Sequence, residues 1–394
     1  MTTITRALVR ATLVAGLLAV VLADIMGCGD GSGGGSLPVD APDALGSFAV
    51  GHMQYTAIDP ARGDRMLAVH VWYPIDAGEE SGVPFVNYDL AGGIGLDSEV
   101  AHEGAPVSSR RKQTFVVFSH GYQGISLQSI GLVETLASHG FVVAAPEHTG
   151  NSQFSQADSF DQAAANRVPD VVLLFDDMLA RNADPGGPFY RRIDDRRYGV
   201  VGHSFGGMTA IGVAAGWAGA ELDPRVAAIV PISAVIDASL QSDERSGPNA
   251  GFTREQLSKI TVPTMLMGGS EDVNVFPENN QIAFAQIVNA PRVYKVEIIG
   301  ANHNHFASVC TFGDLLIGLG LGPEDWPSVG AEALIEPYNA TCGEGVFPIA
   351  EATRLENLYV VSFFKRHLLN QRGYDRYLSA EFADSEPAIA FAVK

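Results

Sequence analysis

The stretch that most restricts how this chain can fold is Gly202-His203-Ser204-Phe205-Gly206, set between the apolar run Tyr198–Gly202 and the small-residue segment Gly206–Ala218. A strand that passes directly into a helix leaves a turn so tight that bulky neighbours are excluded and its apex residue is forced into a strained backbone conformation. Glycines at 202 and 206 meet that demand. The apex is a serine, so its hydroxyl would stand at a helix N-terminus, where free N–H groups and the helix dipole favour developing negative charge. The same strand-then-helix alternation runs along the chain. Strands are expected at Met66–Tyr73, Gln113–Ser119, Phe141–Pro146, Tyr198–Gly202, Arg225–Pro231, Thr264–Gly268 and Val293–Ile299. Helical periodicity marks Ser126–Ser138, Asn166–Asn182 with Pro169 near its start, Gly206–Ala218, Pro277–Val288 and Arg354–Leu369. Such alternation implies an α/β fold with a mostly parallel central sheet flanked by helices. It is expected as a single domain over residues 48–394. Insertions near 74–112, 234–260 and 307–350 are rich in Gly, Pro and acidic residues and read as loops or small caps around a site.

Composition narrows the partners. With 25 Lys+Arg against 45 Asp+Glu the formal net charge is −20, which repels phosphate backbones, so nucleic acid is not an expected partner. The Gly-rich pieces Gly92–Gly95 and Gly318–Gly322 lack the spacing of a phosphate cradle. The three cysteines form no CxxC pair, which removes zinc ribbons and thioredoxin-like redox motifs. At the N-terminus Arg6 and Arg10 precede the apolar run Ala11–Ala23, shorter than the roughly 20 residues a membrane span needs, and the segment reads as a sorting signal. Ile25-Met26-Gly27-Cys28 resembles the lipobox of bacterial lipoproteins. That resemblance implies a signal peptide over 1–27, lipidation of Cys28, a flexible Gly/Ser-rich tether over 28–47, and an exported protein anchored to the cell envelope by its N-terminal lipid alone. The alternative is ordinary cleavage after Ala23 and secretion. With Cys28 lipidated, Cys310 and Cys342 remain, and export favours a disulfide between them.

A serine nucleophile needs a base and an acid, expected past the ends of later strands, where a parallel sheet opens onto its crevice. Gly268-Gly269-Ser270-Glu271-Asp272 follows one such strand and offers Asp272, with Glu271 its neighbour and Asp237 a rival after the preceding strand. Ile299-Gly300-Ala301-Asn302-His303 follows the next and offers His303 as the base, with Phe306 as an apolar anchor. His305 competes for that role and is otherwise read as a polar wall. An alternating histidine pair can also bind metal, but no third ligand or HxxxH spacing accompanies it, so neither metal nor cofactor is expected. The oxyanion that forms on acyl transfer needs two N–H donors. The amide of Phe205 is one, and Tyr122, in His120-Gly121-Tyr122 after an early apolar strand, supplies the other.

The chain resembles the α/β-hydrolase superfamily, and within it the dienelactone hydrolase and platelet-activating-factor acetylhydrolase group together with bacterial polyester hydrolases. The resemblance rests on VWYP at 71–74, FSHG at 118–121, AAPEH at 144–148, GHSFGG at 202–207, GGSED at 268–272 and GANHNHF at 300–306. It implies a serine carboxylic ester hydrolase with Ser204, Asp272 and His303 as triad, Tyr122 and Phe205 as oxyanion donors, and a monomer acting on short-chain or small esters. Dienelactone hydrolases carry a cysteine where this chain has Ser204, and GGSED is closer to the polyester hydrolases than to the acetylhydrolases. Polyester or acetyl-phospholipid hydrolysis, a peptidase or amidase activity on the same scaffold, and a non-catalytic surface binding lipoprotein are the alternatives.

Overall fold

The computed structural model of the protein describes residues 39–394 apart from Gly92, Arg111 and 242–246. The expected signal peptide, Cys28 and most of the expected tether lie outside the described residues. The strands are β1 (Ala49–Asp59), β2 (Arg65–Ile75), β3 (Phe85–Ala91), β4 (Ile94–Glu103), β5 (Gln113–Ser119), β6 (Phe141–Pro146), β7 (Ile193–His203), β8 (Val226–Ile232), β9 (Thr264–Gly269), β10 (Val293–Ile298) and β11 (Ile389–Val393). Together they build one sheet in the order β11-β10-β9-β8-β7-β5-β6-β2-β1-β4-β3. The stretch from β10 to β6 is parallel throughout, while β2 joins β6, and β11 joins β10, antiparallel.

The helices are α1 (Ile130–Ser138), α2 (Phe160–Ala183), α3 (Phe205–Ala215), α4 (Arg254–Ser258), α5 (Glu278–Gln286), α6 (Val309–Gly318), α7 (Ile335–Thr341), α8 (Ile349–His367) and α9 (Ala380–Ala383). Alternation along the strands assigns their side chains to the two faces of the sheet. On β5, Phe115 and Val117 join a cluster with Val171, Leu174 and Phe175 of α2 and Ile211 of α3. Val116 and Phe118, one residue out of step, join Leu132 and Leu136 of α1 and Leu355, Tyr359 and Phe363 of α8. Every residue of β5 is buried, as a central strand covered on both faces requires. The expected mostly parallel sheet between helical layers is therefore present.

Several details differ from the sequence reading. The segment 74–112 is not a loop: β3 and β4 pair as a hairpin, and β4 lies parallel to β1, so the insertion extends the sheet. The strands β1 and β11 were not anticipated. Helix α2 starts at Phe160, capped by Ser159 with Gln162 returning the bond, so Pro169 sits well inside it and removes one internal N–H rather than occupying the first turn. The end of the expected tether is tied down, since Ala44 O is 3.0 Å from His139 Nε2 and Asp43 pairs with Arg354 at 3.3 Å. The segment 307–350 folds into α6, α7 and short 3-10 turns. No helix among the described residues is long and apolar enough to cross a membrane.

Candidate active site

Ser204 sits where β7 meets α3, with φ 58° and ψ −117°, a backbone region that non-glycine residues rarely occupy. The neighbouring glycines are required by contact. A Cβ on Gly206 would lie 1.8 Å from Ser119 O, and one on Gly202 would lie 2.3 Å from Gly206 O. The turn is fixed further by Ser204 N donating to Ile232 O at 2.8 Å.

The strands β9 and β10 deliver the carboxylate and the imidazole together. The loops beyond them are joined by Glu271 N donating to Ala301 O at 2.9 Å and Gly300 N donating to Ser270 Oγ at 2.9 Å. Asp272 Oδ1 accepts from the N–H groups of Asn274 (2.9 Å) and Val275 (2.7 Å), which leaves Oδ2 for His303 Nδ1 at 2.8 Å. Asp272 is 2% exposed. Burial pushes its carboxyl up, but the adjoining His303, its hydrogen bond and the Val275 N–H outweigh that and hold it below the usual carboxylate range. Asp237 instead caps the 3-10 turn Ala238–Leu240 through Ser239 N, and Glu271 is exposed.

Ser204 and His303 line one cavity of about 510 Å³, together with Gly121, Tyr122 and Phe205. Asp272 lies behind the imidazole, outside that lining. The walls are largely apolar: Leu90 and Ile94 come from the β3–β4 hairpin, and Phe312, Leu316, Leu334 and Pro337 from residues 307–350. A disulfide joins Cys310 on α6 to Cys342 just after α7, across a sequence separation of 32 residues. His303 and His305 diverge. His305 is buried away from the cavity, with Nδ1 accepting from Asn302 N at 2.9 Å and Nε2 2.8 Å from Phe347 O, so it fastens a loop rather than forming a wall. Among the described residues no group of three His, Cys, Asp or Glu is placed to hold a metal ion.

The loop after β5 runs beside the serine: a Cβ on Gly121 would be 3.5 Å from Ser204 Cβ. Tyr122 sets its ring edge-on to Phe205, with centroids 5.4 Å apart. Gln128, which the sequence reading passed over, ties this loop to the residue before the serine. Its Oε1 accepts from Gly121 N at 2.7 Å and its Nε2 donates to His203 Nδ1 at 2.6 Å. The His203 ring packs 4.4 Å from that of His303. Burial, then the nearby His303, lowers His203 to about 3, so it is neutral there. Gln128 lies two residues ahead of α1 and inside the helix expected over Ser126–Ser138, where an amide is not distinguishable by spacing from a solvated helix residue.

A family model described as PET hydrolase-like matches residues 104–316. The cutinase Est2 of Thermobifida alba is 27% identical over 190 residues, which are 48% of this chain and 52% of that protein. The chain therefore spans about half the length of this curated relative. Among solved structures, a ferulic acid esterase from Streptomyces cinnamoneus superposes with a TM-score of 0.58 at 24% identity, covering 87% of this chain and 96% of that one.

Proposed function

Since the chain belongs to the PET hydrolase-like family, whose family model spans more than half of it, and has the α/β-hydrolase fold, we propose that it is a serine hydrolase of carboxylic esters. The observation that carries this reading is a serine in strained backbone at a strand-to-helix junction, sharing one cavity with an imidazole whose far nitrogen is 2.8 Å from a buried carboxylate. In this reading Asp272 holds the Nδ1–H tautomer of His303, which leaves Nε2 as the base. His303 takes the proton of Ser204 as Oγ attacks the ester carbonyl carbon, and the amides of Tyr122 and Phe205 stabilise the oxyanion. The alkoxide leaves with the proton from His303. Water, activated by the same imidazole, then releases the acid and restores Ser204.

The apolar walls and the limited cavity fit a discrete ester with an aliphatic or aromatic part, so small esters are the preferred substrates. A polymeric ester is the second reading, favoured by the family and by the cutinase relative. A panel from p-nitrophenyl acetate through long-chain esters to polyester film separates the two by relative rate. Ser204→Ala should lower kcat on p-nitrophenyl acetate by about 10⁵- to 10⁶-fold and abolish labelling by a fluorophosphonate probe; undiminished turnover would exclude the reading. We further read the protein as exported and held to the envelope through Cys28. The Cys310–Cys342 disulfide supports export. Mass spectrometry of the mature N-terminus tests the anchor, an unmodified Cys28 or a start at Asp24 ruling it out.

A further inference from the structure

A second Ser, His and Asp stand in hydrogen-bonded line next to the first set. Ser119 Oγ is 3.0 Å from His148 Nε2, and His148 Nδ1 is 2.9 Å from Asp170 Oδ2. Burial separates this line from the site already described. Ser119, His148 and Asp170 are 0%, 1% and 0% exposed, and none of them lines the cavity, so a substrate carbonyl does not reach Ser119. Asp170 is ionised: burial raises its carboxyl, but hydrogen bonds from Arg65 and His148 bring it well below the usual range. His148 is neutral, lowered to about 3 by burial and then by the charge of Arg167. A neutral imidazole that donates from Nδ1 to Asp170 must accept at Nε2, so the Ser119 hydroxyl donates to it. The oxygen of Ser119 is then free to accept from Arg167 Nη1, 3.2 Å away. Every bond of the relay has a fixed direction, and it ends on Arg167.

The two Nη groups of Arg167 reach the loop beside Ser204 and Asn151, while its buried Nε has no hydrogen-bond partner among the described residues. Nη1 donates to His120 O, and Nη2 donates to Gly121 O at 2.9 Å and to Asn151 Oδ1 at 2.6 Å. His120 Nδ1 adds a second donor to Gly121 O at 2.8 Å. The guanidinium also lies 4.8 Å from the centre of the Phe205 ring. With Gly124 N donating to it as well at 3.2 Å, three donors fix the direction of the Gly121 carbonyl. In a planar trans peptide the next N–H points the opposite way, so the Tyr122 amide is turned away from Arg167. Burial lowers the guanidinium to about 9, which leaves it protonated at neutral pH.

We propose that Arg167, set by the Ser119–His148–Asp170 relay, is a positioning residue that aims the Tyr122 amide at the oxyanion and braces Phe205 beneath the second donor. The proposal rests on the serine esterase reading. A planar guanidinium reaches several fixed acceptors at once, which a lysine ammonium in the same space does not. Losing an oxyanion donor outright costs about 10²- to 10³-fold in kcat, so a misaimed one should cost less.

The test compares Arg167→Lys and Ser119→Ala with the full chain, using p-nitrophenyl acetate and a boronic acid that forms a tetrahedral adduct on Ser204. Expected is a fall in kcat of about 10- to 100-fold for Arg167→Lys and about 3- to 10-fold for Ser119→Ala, with KM changed less than about threefold in each. Boronate affinity should fall by the same factor as kcat/KM. Wild-type kcat and boronate affinity in either folded variant, with only the melting temperature lowered, overturn the proposal. Ser119→Ala removes one oxygen only and decides the matter if Arg167→Lys does not fold. Turnover that survives Ser204→Ala would fault the esterase reading instead, and the two failures are therefore distinct.

Discussion

Replacing Gly206 by alanine adds one carbon where the structure has no room for it. The new Cβ would stand 1.8 Å from Ser119 O, 2.5 Å from Ser119 C and 2.9 Å from His120 O, all backbone atoms at the end of β5. Since Cβ contacts under 3.0 Å essentially never occur, the two backbones must separate by at least about 1.2 Å. Both sides of that gap matter: one carries Ser204 and the Phe205 amide, the other runs into Gly121 and Tyr122. Overpacking of this kind costs about 1–3 kcal/mol of stability. A displacement of about 1 Å at reacting groups costs on the order of 10²-fold in rate, so kcat should fall by at least that much in protein that still folds. Gly131→Ala is the matched control. Its Cβ would meet only Thr353 Cγ2, at 3.5 Å, near the start of α1, where alanine should be neutral or stabilise by up to about 0.5–1 kcal/mol and leave kcat unchanged. Thermal unfolding and p-nitrophenyl acetate kinetics on both variants decide it. A Gly206→Ala protein with wild-type melting temperature and kcat would refute the close-packed junction on which the site is built.

Asp272→Asn keeps the shape but removes the acceptor that selects the His303 tautomer, so kcat should drop by about 10⁴-fold with KM little altered; a loss under tenfold would mean that another group orients the imidazole. Replacing Cys310 and Cys342 together by serine opens a 32-residue loop and should cost roughly 3–4 kcal/mol, read as the shift in denaturant midpoint, whereas a change near zero would show that packing alone closes that loop. Glu356 on α8 is buried with Oε1 unpartnered, and burial raises its carboxyl well above the ordinary range. The folded form therefore keeps a proton that the unfolded chain releases, and stability from this group is lost as pH rises above the usual carboxylate range. Glu356→Gln should flatten that slope and raise the melting temperature at pH 7; parallel curves for the two proteins would contradict it.

The parts legible from sequence are those dictated by short-range physics. The runs QTFVVFS and FVVAAP match β5 and β6 residue for residue, because strands buried on both faces must be apolar throughout. The placement of Ser204, Asp272 and His303 just past β7, β9 and β10 was readable because each strand end is marked by glycine. Half-buried strands were harder. In β1, His52, Gln54 and Thr56 interrupt the apolar pattern, and its pairing with β2 spans the whole register from Ala49↔Ile75 to Asp59↔Arg65 without leaving a local trace. The β3–β4 hairpin pairs Ala91 with Ile94 in a stretch whose sequence reads equally well as loop. Hardest of all was the group around Arg167, since Ser119, His148 and Asp170 come from three separate segments and meet only when β5, β6 and α2 are packed. The one available signal was that Arg167 and Asp170 fall on the same side of α2 as Val168 and Val171, a charged pair on a face otherwise committed to the core.

The proposed base, His303, stands at the threshold of a long detour. His303 is followed within a few residues by the excursion that ends near Phe347. Here the detour is clamped at both feet: sulfur bridges Cys310 to Cys342, and His305 grips the carbonyl of Phe347 at 2.8 Å. In the proposed mechanism these two ties separate the outer turns from the His303 imidazole, so residues between them can be exchanged to suit a new guest without moving the base.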